Sequence, residues 1–212
     1  MRRHLLALFL AMLPVAAGCV GTQEAPIPDD FYGDDIYPAV LVEPFVLQNQ
    51  DSDFYNSSVM DGKVSIVVFM FTRCPDVCPV VSANVRWVST QLTVEEMEQI
   101  ELISITVDPW SDGPQELYTY RQNLSLEWNH YTGSVDDLEP VWGNFGVGLQ
   151  TYSNETDDNG TQGRHHPNYD YLVDHSTGTI LVDKQMRQRV WWGDTDWAPE
   201  LVLSDVRELL AE

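Results

Sequence analysis

Cys74 and Cys78 stand three residues apart in the run Cys74-Pro75-Asp76-Val77-Cys78-Pro79, after an apolar stretch and ahead of a helical pattern. Two thiols in that setting do one of two jobs: they hold a soft metal, or they cycle between dithiol and disulfide. Pro79 suits the first position of a helix, which makes Cys78 the expected N-cap. A cysteine at a helix N-terminus faces unpaired N–H groups and the positive end of the dipole, so its pKa is drawn from about 8.5 toward neutrality. Thiolate is the form that both jobs require. A thiolate pair is a soft donor set that selects Cu(I), with Zn(II) as the main competitor. A disulfide across so short a loop removes little chain entropy, so a purely structural bridge is a poor use of the pair.

Nitrogen donors are few. His175 follows Asp174 in a hairpin pattern, far from the thiols along the chain. An isolated histidine at a strand end is more often a hydrogen-bonded or surface residue than a ligand, and periodicity alone does not bring it to the sulfurs. If the fold does so, Cys74, Cys78 and His175 form a three-coordinate soft site with room for a transfer partner, and Asp174 tunes it from beside the ligands. His165-His166 lie in an Asn-, Asp- and Gly-rich excursion over 153–168. They read as solvated loop residues, or as accessory copper capture. Trp191-Trp192 read as core residues, or as an exposed patch for a partner. Asn56, Asn123, Asn154 and Asn159 each open a glycosylation sequon, a short motif that is often unused.

The third cysteine has a separate explanation. Arg2-Arg3, the apolar run Leu5 to Leu13 and Ala16-Ala17-Gly18-Cys19 have the order of a secretory signal ending in a small-residue cleavage site. The apolar run is too short to span a bilayer. Residues 1–18 are therefore expected to be a signal peptide of lipoprotein type, with Cys19 lipid-modified at the new N-terminus. Residues 19–39 are expected to be a flexible tether and 40–212 a single folded domain. Lipid on Cys19 leaves Cys74 and Cys78 as a pair, too few for a disulfide framework, so the core must hold the fold unaided.

The 212 residues carry 33 acidic against 11 basic side chains, a formal net charge of −22. That balance gives no basic footprint for phosphates and excludes nucleic-acid binding. It reads as a solvated, self-repelling surface.

Elements follow from periodicity. Phe45-Val46-Leu47 is a first strand. Val64 to Phe71 is near-continuously apolar, as in a strand buried on both faces. Val81, Val85, Val88 and Leu92 mark one face of the helix behind the thiols. Leu102 to Val107 is a strand closed by Asp108-Pro109, and Ser111-Asp112-Gly113-Pro114 is a helix start. Ser134-x-x-Asp137 is a capping box. Tyr171-Leu172-Val173 and Thr179 to Val182 read as the two arms of a hairpin, and Asp196 as the cap of a last helix. The layout is α/β, with the thiols at the C-terminal end of a central strand, where open α/β sheets place their sites.

Phe71-Thr72-Arg73-Cys74-Pro75-Asp76-Val77-Cys78-Pro79 closely resembles the signature of the Sco/SenC family, thioredoxin-fold copper chaperones of cytochrome c oxidase assembly. Ile105-Thr106-Val107-Asp108-Pro109, then Pro114 and Tyr120, and Asp170-Tyr171-x-Val173-Asp174-His175-Ser176 continue the likeness in order. It spans about residues 40 to 210. The resemblance implies a thioredoxin-like fold: a central mixed sheet flanked by helices, with a polar inserted loop near 153–168. It implies that Cys74, Cys78 and His175 bind copper, Cu(I) or Cu(II), and that the protein is a carrier and not an enzyme. The implied client is the CuA site of cytochrome c oxidase subunit II, on the outer face of the cytoplasmic membrane, with an upstream copper donor. Two alternatives stay open: a thiol-disulfide oxidoreductase that keeps the CuA cysteines reduced, and a copper sensor or store.

Overall fold

The computed structural model describes residues 31–153, 171–175, 178–193 and 195–212. In chain order the elements are β1 (Asp34–Leu41), β2 (Val46–Asn49), β3 (Phe54–Asn56), β4 (Val64–Met70), α1 (Val77–Gln91), α2 (Val94–Met97), β5 (Ile100–Thr106), α3 (Pro114–Leu124), β6 (Asn129–Thr132), α4 (Val135–Asn144), β7 (Leu149–Ser153), β8 (Tyr171–His175), β9 (Thr179–Val182), β10 (Arg187–Trp192) and α5 (Pro199–Ala211), with a short 3-10 turn at Ser57–Met60. One sheet has the order β1-β10-β9-β4-β5-β6-β2-β3, and β7 with β8 forms a separate ribbon. Strands β4, β5 and β6 run parallel, while β9 joins β4 antiparallel. This is the mixed, helix-flanked sheet that the family resemblance implies.

Every residue of β4 is buried, as its apolar, β-branched run requires of a strand covered on both faces. The parallel connections β4–α1–β5 and β5–α3–β6 each need a helical crossover. Val81, Val85 and Val88 of α1 are inside, at spacings that put them on one helical face. Tyr120 of α3 points inward, while Arg121 turns back to the Leu126 carbonyl at 3.1 Å. The Ser134–Asp137 capping box is present at the start of α4.

Three expectations change. Residues 34–39, assigned to the tether, open β1, which pairs with β10 from Asp34 opposite Trp191; Pro38 is tolerated because β1 is an edge strand. The hairpin expected between Tyr171–Val173 and Thr179–Val182 does not form. Strand β8 pairs instead with β7, Leu149 facing His175, and β9 pairs with β10 and β4. Helix α5 is capped at Ala198, with Pro199 at its first position, and the Asp196 amide closes the preceding turn onto Gly193. Trp192 is buried, its indole N–H donating to Asp205 at 3.0 Å, whereas Trp191 stays partly exposed. Asp205 also accepts from the amides of Tyr32 (2.8 Å) and Gly33 (3.0 Å), fastening the start of the domain to α5.

Among the described residues no helix is long and apolar enough to cross a membrane. Cys19, His165, His166, Asn154, Asn159 and almost all of the 153–168 excursion lie outside the described residues. Asn56 and Asn123 are exposed.

Candidate metal and redox centre

The chain leaves β4 at Met70, turns through Phe71–Cys74 and enters α1 at Val77. The turn is closed by the Cys74 amide donating to the Phe71 carbonyl at 3.2 Å. Asp76 is the N-cap residue, without a side-chain capping bond. Cys78 is therefore the second helical residue and not the cap, because the Pro75-Asp76 turn starts the helix earlier than Pro79 alone implies. Pro79 still sits in the first turn, where a missing N–H costs nothing.

This shift moves the thiolate from one cysteine to the other. The Cys78 amide points out of the helix end at the Cys74 sulfur, 3.5 Å away. The Cys74 thiol is drawn down to about 6, first by the hydrogen bond from the Cys78 side chain, against burial, and then by the amides of Asp76, Cys78 and Val77. At neutral pH Cys74 is the anion and Cys78 its donor. Both cysteines are buried and unbridged.

One consequence is measurable. The rate at which iodoacetamide alkylates reduced protein should rise through about pH 6 and be flat by neutrality, instead of rising through about pH 8.5 as for an ordinary thiol. The linked stability has the sign of a depressed acid: the unfolded chain binds more protons between the folded and unfolded values. The reduced protein therefore gains stability as pH rises from about 6 toward the ordinary thiol range and loses it on acidification. A Cys74 rate that tracks a free thiol would contradict the assignment.

Around the pair, Phe71 meets His175 edge-on, ring centroids 5.8 Å apart. His175 is buried at the end of β8. The fold thus brings the histidine to the residue that begins the thiol turn, across a hundred residues of sequence. It does not gather a complete ligand set: among the described residues, no three His, Cys, Asp or Glu side chains cluster as they would to hold a metal ion. Cys74 and Cys78 are together, and His175 reaches their neighbour from the separate β7–β8 ribbon. Asp174 is placed on β8 opposite Gln150.

Several contributors have no signal as ligands in the sequence. Asp108 and Asp112, from the loop behind β5, bond to Arg73 and Thr72 just ahead of Cys74. Tyr120 shares a 3.0 Å hydrogen bond with Ser82 of α1. Its hydroxyl is pushed far up by burial, with the Ser82 bond opposing. His130 stacks on Trp128 and meets Tyr120 edge-on; burial holds it down to about 4, neutral at any ordinary pH.

A thioredoxin-like domain with a thiolate-forming cysteine pair at the mouth of α1 is the class that this geometry defines. The SCO1/SenC family model matches residues 34–211, and the chain belongs to that family. An SCO2-like protein of Rickettsia prowazekii is 30% identical over 146 residues, 68% of this chain and 65% of that one. The matched stretch spans less than two thirds of the length of this and the next relatives. Among solved structures, apo Sco1 of Thermus thermophilus superposes with a TM-score of 0.70 at 26% identity, covering 84% of this chain and 96% of its own. Yeast Sco1 with copper bound gives a TM-score of 0.65 at 25% identity, covering 82% and 90%.

Proposed function

We propose that this protein is a copper metallochaperone. Cys74, Cys78 and His175 take copper, and the domain passes it to the CuA site of cytochrome c oxidase subunit II. The observation that carries the reading is the buried, unbridged Cys74–Cys78 pair, with the Cys78 amide 3.5 Å from the Cys74 sulfur, on a turn whose first residue packs on His175. Two thiolates and an imidazole are a soft set that favours Cu(I) and leaves a coordination position for a receiving ligand. Yeast Sco1, of matching fold, has been seen with copper bound. His175 stands on a ribbon separate from the main sheet, so on this reading it closes onto the sulfurs as copper arrives. The protein acts as a carrier and not as a catalyst. An upstream donor loads it, and lipid on Cys19 holds it at the outer face of the cytoplasmic membrane.

A second reading rests on the same sulfurs. A thiolate near pH 6 is also an attacking nucleophile, and the pair would then reduce the client's CuA cysteines. A copper store or sensor uses the same ligands without a client. One mixing experiment separates the three. Copper-loaded residues 20–212 are added to reduced apo CuA domain, and the metal-free dithiol to the oxidised domain. The chaperone predicts that copper moves to the client in the first mixture. Reduction of the client's disulfide in the second mixture alone, with a Cys74–Cys78 disulfide formed in exchange, would replace it with the reductase. No transfer in either leaves the store or sensor.

A further inference from the structure

The two residues directly ahead of Cys74 are held by carboxylates from a different loop. Asp112 is fully buried. Its Oδ2 accepts from the Thr72 amide at 3.0 Å and from the Thr106 hydroxyl at 2.6 Å, and its Oδ1 accepts from the Thr72 hydroxyl at 2.5 Å. Arg73 donates to Asp108 at 2.6 Å, and the Asp108 amide donates to the Thr106 hydroxyl at 2.9 Å. The Asp112 amide returns to the Asp108 carbonyl at 2.8 Å. The bonds close a ring through Thr72, Asp112, Thr106, Asp108 and Arg73.

Burying a carboxylate is costly, and apolar packing would join two loops more cheaply. What a carboxylate adds is direction: three donors at fixed angles set where Thr72 lies, and the Phe71–Cys74 turn is closed on itself. Burial drives the Asp112 carboxyl above its ordinary range, with the Thr106 and Thr72 bonds opposing.

We propose that Asp112 is the positioning residue of the dithiol: by fixing Thr72 to the end of β5 it sets the Cys74 sulfur against the first amides of α1, and so sets the dithiol–disulfide equilibrium of Cys74 and Cys78. The inference rests on these cysteines being the functional pair and needs no copper. Holding the sulfur at the amides favours the reduced form, which makes the pair more oxidising. Releasing the loop shifts the equilibrium toward the disulfide.

The test is exchange with glutathione on the metal-free full chain in detergent, with Cys19→Ser so that a single pair reacts. Oxidised glutathione takes two electrons and two protons from the pair. Its S–S bond breaks to two thiols as the Cys74–Cys78 bond forms. Asp112→Ala and Thr72→Val are expected to move this equilibrium at least about tenfold toward the disulfide, about 30 mV for two electrons. Thr72→Ser keeps both donors and is expected to restore the original value, with Asp112→Asn between. If folded Asp112→Ala and Thr72→Val stay within threefold of the parent while melting earlier, Asp112 only supports the fold and the proposal is wrong. Should Asp112→Ala not fold, the Thr72→Val and Thr72→Ser pair decides by the same criterion. Loss of the copper reading would show separately, as parent protein that binds no Cu(I) yet still shows the shift.

Discussion

Cys74→Ser is expected to lower Cu(I) affinity by more than about a hundredfold, taking about 3 kcal/mol as one ligand's share of a tight metal site. Serine keeps the size of the side chain and removes the soft, ionised donor. Cys74 carries the charge in this site, since the Cys78 thiol and the amides of Asp76, Cys78 and Val77 all point at its sulfur. A serine hydroxyl there stays protonated at any working pH. Cys78→Ala is expected to do the same for affinity and also to raise the Cys74 thiol, because the largest of the depressing bonds comes from the Cys78 side chain and alanine has no donor to replace it. The check is competition against a chromophoric Cu(I) chelator, with alkylation rate against pH followed on the Cys78 variant. Neither substitution should unfold the domain, whose core is built from β4, β5, β9 and the helices that cover them.

Asp183→Ala is expected to cost the fold several kcal/mol, about 3–5. Asp183 follows β9 and is almost wholly buried. Its Oδ1 accepts the amides of Gln185 and Arg187, both at 2.9 Å, closing the turn into β10. Its Oδ2 takes Arg187 at 2.7 Å and Arg189 at 3.0 Å. Arg189 is itself only 2% exposed; it also pairs with Glu212, 2.7 Å away, and lies over the Phe31 ring. Removing the carboxylate leaves a buried guanidinium short of charge, a loss of about 3–5 kcal/mol. For a chain of this size that lowers the melting temperature by about 10 °C. Thermal unfolding followed by circular dichroism measures it. A fall of only a degree or two would mean that Glu212 alone compensates Arg189. The thiol site lies at the other end of β4 from this turn, since Ser65 pairs with Val182 while Met70 leads into Phe71. Copper affinity at room temperature should therefore be unchanged.

How much of this was legible in the chain differs by element, for physical reasons. Strand β4 and helix α1 were readable because burial imprints itself on periodicity: a run without polar breaks for one, a valine stripe for the other. The placing of the thiols between them followed. The cap did not, because Pro79 is acceptable anywhere in the first turn and the choice between Asp76 and Cys78 turns on loop geometry. That two-residue difference decides which sulfur is the anion. Strand β1 was hidden by Pro38, whose composition reads as linker although an edge strand tolerates it. The β7–β8 pairing was invisible because it joins segments on either side of a long excursion, whereas Gly178 between β8 and β9 offered a local turn. Asp112 was read as part of a helix start, a role that Ser-Asp-Gly-Pro equally suits; only the fold shows its carboxylate turned to Thr72. The nearness of His175 to the thiol turn, through Phe71, was implied by family resemblance and by nothing in the local pattern.

His175 separates a copper carrier from a simple dithiol, since disulfide exchange has no need of an imidazole. The direct measurement is a Cu(I) competition titration of residues 20–212 beside the His175→Ala variant. The account predicts one tightly bound copper per chain in the parent and an affinity at least about tenfold weaker in the variant, a difference of about 1.4 kcal/mol. Equal affinities for the two proteins, or no stoichiometric copper in the parent, would contradict it.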